Sequence, residues 1–171
     1  MIREANENDL MEILEIYNYA ILNTTAIYAY EPHDIEERKQ WYYERKQNNH
    51  PVIVFEEDDK VVGFATFEQF RAYPAYKYSL EHSVYVHKDY RKRGIGKKLM
   101  KKLIEVANEQ GYAIMVAAID SENSGSIELH KKLGFEYAGT IEKSGFKFGK
   151  WLDLVFYELK LRGPENPIES D

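Results

Sequence analysis

The chain has 171 residues, a formal net charge of -6 and no cysteine. This length fits one domain, and the absence of thiols excludes disulfides, thiolate metal ligands and cysteine nucleophiles. Acidic residues stand near the start, where a signal peptide would carry basic ones, and no stretch approaches the roughly 20 apolar residues that span a bilayer. These features predict a cytoplasmic protein that binds no membrane.

Hydrophobic periodicity predicts alternating strands and helices. In chain order these are a strand at 1–5, helices at 10–21 and 35–47, strands at 51–58, 60–70 and 78–87, a helix at 94–111, a strand at 112–119, a helix at 124–134, and strands at 135–145 and 150–161. Asn8 or Asp9 and then Asp34 are the expected helix caps. The order βααβββαβαββ predicts a single α/β domain over 1–162, with a mixed central sheet flanked by helices. The segment 163–171 is predicted to be disordered.

A basic stretch interrupts this acidic chain. Lys88–Lys102 holds eight basic residues and one acid, where the strand ending at Val86 turns into a helix. The first amides of that helix have no partners within it, and together with the macrodipole they favour an anion. Gly94 and Gly96 let a ligand approach the backbone closely, and Arg91–Arg93 add cationic donors. The pattern predicts a phosphate-binding loop.

Three kinds of phosphate-binding loop could occupy this position. A P-loop would need Ser or Thr at Lys98, and a dinucleotide fingerprint would need glycine at Leu99. The third pattern, Arg/Gln-x-x-Gly-x-Gly, is the pyrophosphate loop of the GNAT N-acetyltransferases, which "RKRGIG" at 91–96 resembles. The lysines that follow it favour a solvated helix face over ligand contacts.

Two further stretches extend this resemblance. "IDSENSGSIELHKKLGF" at 119–135 is similar to the second GNAT signature, in which an Asn precedes a helix ending in Leu-Gly-Phe. "EHSVYV" and "KFGKWLD" resemble the branch of phosphinothricin and methionine sulfoximine/sulfone acetyltransferases, over nearly all of 1–161. The resemblance implies a GNAT-type fold, acetyl-CoA as co-substrate, acetylation of the α-amino group of a small amino-acid-like acceptor, and a homodimer.

The resemblance also implies which residues hold acetyl-CoA. The strand end would pair with the pantetheine arm, the basic loop would bind the pyrophosphate, and a backbone N–H near Tyr85 or Val86 could meet the oxyanion. The implied cofactor-binding residues are Val84, Tyr85, Val86, Arg91, Lys92, Arg93, Gly94, Ile95, Gly96 and Asn123.

Glu81 and His130 are the candidate acid–base groups. Strand alternation puts Glu81, Ser83 and Tyr85 on one face of the sheet and His82 on the other. A carboxylate on a central strand is costly unless it is paired or working, and its pKa would have to rise before it could deprotonate an ammonium. His130 stands where many GNAT enzymes have a Tyr that protonates the thiolate. The alternatives are a Glu paired with Lys or Arg and a packed helix histidine.

The acceptor would be held by Arg71 through two parallel hydrogen bonds to its α-carboxylate. Four tyrosines are candidates for the wall of the side-chain pocket: Tyr28, Tyr30, Tyr73 and Tyr76. The alternatives are a solvent-facing arginine and aromatic residues of the core. The remaining histidines show no metal-ligand spacing, so no metal site is predicted.

Other functions stay open at this point. A protein, peptide or polyamine N-acetyltransferase would use the same chemistry, and a non-catalytic protein could bind acetyl-CoA and release no thiol. Nucleic acid is a poor partner. Lys88–Lys102 has a net charge of +7 and the whole chain has -6, so the rest of the chain carries -13 and would repel a polyanion.

Overall fold

The computed structural model describes residues 1–169. Within them the order of strands and helices confirms the predicted one. The strands are β1 (Ile2–Glu4), β2 (Val52–Glu57), β3 (Lys60–Gln69), β4 (Ser79–Val86), β5 (Ile114–Asp120), β6 (Glu136–Lys147) and β7 (Lys150–Lys160). The helices are α1 (Leu10–Asn23), α2 (Ile35–Gln47), α3 (Ile95–Glu109) and α4 (Ser124–Lys132).

All the strands join one mixed sheet in the order β1-β2-β3-β4-β5-β7-β6. Every neighbouring pair is antiparallel except β4 and β5, which are parallel. The mixed sheet was predicted and is confirmed, and the apolar strand β5 lies in its interior.

The parallel pair β4 and β5 separates along its length. The two strands are in register only where Ser79–Glu81 face Ile114–Val116. Past these residues, β4 continues its ladder with β3 to Val86, and β5 continues its ladder with β7 to Asp120. Since each strand then has a partner on one side only, the sheet opens into a gap at its centre.

Helices cover both faces of the sheet. On one face, α3 buries an apolar stripe that includes Leu99 and Leu103 against Leu80 and Met115. On the other face, residues of α1 and α2 such as Ile13 and Tyr42 pack against β2 and β3. The two layers fix the position of the gap between them.

The predicted capping residue is confirmed for α2 and wrong for α1. Asp34 caps α2 as predicted, because its carboxylate accepts from the Glu37 N–H at 2.8 Å while Glu37 accepts from the Asp34 N–H at 2.7 Å. Asp9 directly precedes α1, but its side chain does not cap that helix. It accepts from the Asn6 N–H at 2.7 Å and from Arg3 at 2.8 and 2.9 Å, because the guanidinium competes for the same oxygens.

The chain after β7 forms no helix or strand as far as residue 169. The Tyr78 hydroxyl accepts from the Ile168 N–H at 3.0 Å. The disorder expected of 163–171 stays a prediction, and positions 170 and 171 lie outside the described residues. No helix within 1–169 has the length and apolar character needed to cross a membrane.

Candidate active site

A cavity of about 330 Å³ lies where β4 and β5 separate. Its walls come from β4, the end of β5, the loop after α1 and the first turns of α4. Six of the residues singled out in the sequence line it: Tyr28, Glu81, Val84, Tyr85, Asn123 and His130. The gap in the sheet therefore brings together residues that are far apart in the chain.

Glu81 is half-buried in the wall of this cavity. Burial raises the pKa of its carboxyl group, the charge of Glu68 raises it further, and Arg71 opposes both effects. Glu68 stands directly opposite Glu81 in the β3–β4 register. Burial and the neighbouring carboxylate both disfavour ionisation of Glu81, so the environment makes Glu81 a stronger base than an ordinary glutamate.

The alternation predicted for β4 is confirmed by its packing. Tyr85 joins the cluster under α1 and α2, whereas Leu80, Val84 and Val86 join the cluster under α3. Burial raises the pKa of Tyr85 to about 12, so its hydroxyl stays protonated at neutral pH.

His130 lies deep beside the cavity, with 1% of its surface exposed. Its Nδ1 is 2.6 Å from the Ser126 carbonyl oxygen, and its Nε2 is 2.9 Å from Nε2 of His82. The two imidazole rings meet at these nitrogens with their planes nearly parallel, 13° apart, and their centroids 5.0 Å apart. Burial lowers the pKa of both rings, that of His82 to about 3. Sequence reasoning did not single out His82.

Asp120 is a second residue of the cavity that the sequence reasoning missed. It is buried at the end of β5, where it accepts from the Thr25 hydroxyl at 2.7 Å and the Tyr28 hydroxyl at 3.2 Å. These bonds fix the loop after α1 against the sheet. A signal was present, since a lone carboxylate ends an otherwise apolar strand.

Of the four tyrosines predicted to wall the acceptor pocket, Tyr28 lines the cavity. Burial and Asp120 raise its pKa to about 12. Its ring rests on Gly145 of β6, where a Cβ atom would stand 2.7 Å from the ring. Packing against Tyr28 therefore requires glycine at position 145.

The other residues predicted to hold the acceptor lie outside the cavity wall. Arg71 is exposed, with its guanidinium 4.2 Å from the Phe70 ring, and Tyr73 and Tyr76 occupy the same exposed loop. Tyr30 is also exposed, and its hydroxyl donates to the Phe146 carbonyl. Arg71 nevertheless lies close enough to Glu81 to oppose the rise in its pKa.

The basic loop has the geometry of an anion site. Gly94 has a φ of +78° directly before α3, and the Lys98 N–H donates to its carbonyl at 3.1 Å. The amides of 95–97 consequently have no acceptor within the helix. A Cβ at Gly96 would meet only ordinary contacts, 3.6 and 3.7 Å from protein atoms, so packing alone does not demand glycine there. This room beside unpaired amides fits a diphosphate.

The cations of this loop already have neighbours. Arg93 pairs with Glu57 at 3.1 Å, and the Arg91 guanidinium lies 5.7 Å from the centre of the Tyr19 ring. Asn123 precedes α4, and its side chain accepts from the Ser126 N–H at 3.2 Å. Across 1–169, no group of three or more His, Asp or Glu side chains is arranged to hold a metal ion.

The sequence of this chain is similar to those of known acetyltransferases. The chain is 43% identical over 160 residues to the L-methionine sulfoximine/L-methionine sulfone acetyltransferase of Salmonella typhimurium, covering 94% of each chain. It is 32% identical over 171 residues to the phosphinothricin N-acetyltransferase of Streptomyces viridochromogenes, covering 98% of this chain and 92% of that one.

A solved acetyltransferase structure and a protein-family model are also similar to this chain. The structure of a Salmonella typhimurium acetyltransferase with its cofactor acetyl-CoA superposes with a TM-score of 0.95 at 42% identity, covering 98% of this chain and 97% of that one. The model of the acetyltransferase (GNAT) family matches residues 10–135. The chain therefore belongs to the GNAT acetyltransferase family.

Proposed function

We propose that the protein transfers the acetyl group of acetyl-CoA to the α-amino group of a small amino-acid-like acceptor. The observation that carries this proposal is the half-buried Glu81, with its raised pKa, in a cavity where β4 and β5 separate. The named relatives act on methionine sulfoximine, methionine sulfone and phosphinothricin, so we expect the acceptor to be of that type.

The chain offers three groups of contacts for acetyl-CoA, which supplies the acetyl group as a thioester. The free amides of 95–97 and the side chains of Arg91–Arg93 would bind the pyrophosphate. The unpaired edge of β4 at Val84–Val86 would accept the pantetheine arm, and its N–H groups are candidates for the oxyanion. Asn123 lies in the wall of the same cavity.

Glu81 would remove a proton from the acceptor ammonium and so provide the free amine. Its raised pKa makes the carboxylate a better proton acceptor than an ordinary glutamate. We assign the second acid–base role to the buried imidazole pair that includes His130. Together these groups would let a neutral amine attack and a protonated thiol leave.

We place the acceptor between Arg71, Tyr28 and the exposed tyrosines Tyr30, Tyr73 and Tyr76. A cationic guanidinium can bind an α-carboxylate through two hydrogen bonds. The position of Arg71 on an exposed loop would allow it to meet an acceptor entering from solvent. Arg71 is close enough to Glu81 to oppose the rise in its pKa. An acceptor whose α-carboxylate is bound by Arg71 would therefore present its α-amino group near Glu81.

We further propose that the enzyme is a cytoplasmic homodimer. Support for the dimer comes from β6, an edge strand whose side of the sheet carries exposed apolar side chains, among them Ile141, Phe146 and Trp151. A long apolar edge strand favours self-association unless it is covered.

Thiol release from acetyl-CoA tests the proposed reaction. The acceptor panel contains methionine sulfoximine, methionine sulfone, phosphinothricin, ordinary amino acids and a lysine peptide, and the protein has no cysteine to add background. We expect release with the first three. Release with the lysine peptide alone would overturn the proposed class of acceptor, and silence across the panel with acetyl-CoA binding intact would overturn the substrate assignment.

A further inference from the structure

The hydrogen bonds of His130 fix the proton positions in the imidazole pair. Nδ1 lies 2.6 Å from the Ser126 carbonyl oxygen, which can only accept, so Nδ1 carries a hydrogen. In a neutral ring the other nitrogen, Nε2, then has only a lone pair. Both nitrogens of His130 are engaged in a residue that is 1% exposed, so neither is free for a reacting group.

The same reasoning fixes the tautomer of His82. Its Nε2 lies 2.9 Å from the bare Nε2 of His130 and must therefore donate. The hydrogen of neutral His82 is thus on Nε2, and Nδ1 carries a lone pair. This Nδ1 is buried and is without a hydrogen-bond partner in the protein. A buried polar atom with no partner is costly unless a ligand or a catalytic step uses it.

We propose that His82, rather than His130, is the member of the pair that exchanges a proton with the reacting groups. The inference rests on the proposed acetyl transfer. As the N–C bond forms and the C–S bond breaks, Nδ1 of His82 accepts the proton that the attached amine loses. It returns this proton to the sulfur of the departing thiolate, so His82 is unchanged at the end.

His130 is then a positioning residue. Its Nε2 accepts the Nε2–H of His82, holds the lone pair on the opposite nitrogen, and strengthens that bond when His82 becomes charged. Phe135 contacts both rings edge-on, with centroids 5.8 Å from His82 and 5.0 Å from His130, and so limits their rotation. Burial lowers the pKa of both rings and keeps the resting pair neutral, so Nδ1 of His82 holds its lone pair before the reaction and readily passes an accepted proton on to the thiolate.

Nitrogen-15 NMR of the histidine-labelled protein tests the tautomers without any reaction. We expect hydrogens on Nε2 of His82 and Nδ1 of His130, with the assignment made from single-histidine variants. A hydrogen on Nε2 of His130 would overturn the inference and leave the proposed acetyl transfer untouched. If the unmodified protein released no thiol from acetyl-CoA with any acceptor, the proposed reaction itself would be overturned instead.

Two matched variants test the roles by kinetics. His82→Gln keeps an amide donor toward His130 but removes the free ring nitrogen, and we expect kcat to fall by about 10²-fold or more. His130→Gln keeps an oxygen that accepts from His82, so we expect a loss roughly tenfold smaller, whereas His130→Ala removes the acceptor and loses more. An equal or larger loss in His130→Gln than in His82→Gln would overturn the assignment.

Discussion

At the scale of single residues, Glu81 is held between one carboxylate and one cation. Glu68 stands opposite it and raises its pKa, while Arg71 lowers it. Glu81→Gln removes the base but keeps the shape of the side chain. We expect kcat to fall by about 10²-fold with little change in the KM for acetyl-CoA, as measured by thiol release.

Removing the charge of either neighbour of Glu81 should shift the pH dependence of the reaction rate, in opposite directions for Glu68 and Arg71. The active form is the carboxylate, so the rate falls as the pH drops through the raised pKa of Glu81. Glu68→Gln removes the repulsion and should shift this acid limb to lower pH, whereas Arg71→Gln should shift it to higher pH. Glu128→Gln, on the exposed face of α4, is the control. Identical acid limbs in all variants would contradict the role of Glu81.

The sequence located part of this site and missed part of it for a structural reason. Glu81, Asn123 and His130 were predicted from motifs, and all three line the cavity. Alternation correctly placed His82 on the opposite face from Glu81, and on a continuous sheet that face would be remote from the site. Because β4 loses its β5 neighbour after Glu81, side chains from both faces reach the same gap. Nothing in the local pattern records this separation.

At the scale of secondary-structure elements, one buried lysine joins the β6–β7 hairpin to the end of α1. Lys147 is 4% exposed, and its ammonium donates to the carbonyls of Ile21, Thr24 and Ile27 at 2.6, 2.8 and 2.7 Å. A cation at the C-terminus of a helix also interacts favourably with the helix dipole. The first of these contacts spans 126 residues of sequence, so periodicity within the strand could not predict it.

Lys147→Met should therefore destabilise the fold and loosen the wall of the cavity. Three carbonyls would lose a charged donor, and we expect the free energy of unfolding to fall by about 3 kcal/mol or more. Urea denaturation followed by tryptophan fluorescence measures this change. Lys131→Met, an exposed change on α4, should stay within about 0.5 kcal/mol. Equal stability of the two variants would show that the three bonds contribute little.

At the scale of the whole molecule, the sheet order carries information that the sequence did not. The strands themselves were predicted. The place of β7 between β5 and β6 was not, because alternation reports which residues are buried and not which strand lies beside them. This order leaves β6 as an outer edge with most of its residues exposed.

The exposed apolar surface along β6 and β7 is the expected dimer interface. Trp151 is 59% exposed and packs its ring on Phe146, 5.1 Å away, within a surface that a second copy could cover. We expect sedimentation velocity to give about twice the chain mass of 20.1 kDa, and Trp151→Glu to give the monomer, because burying an unpaired charge opposes association. Leu22→Glu, at an exposed apolar residue of α1, should leave the dimer intact. A monomeric unmodified protein at micromolar concentration, or a dimer that persists in Trp151→Glu, would exclude this surface as the interface.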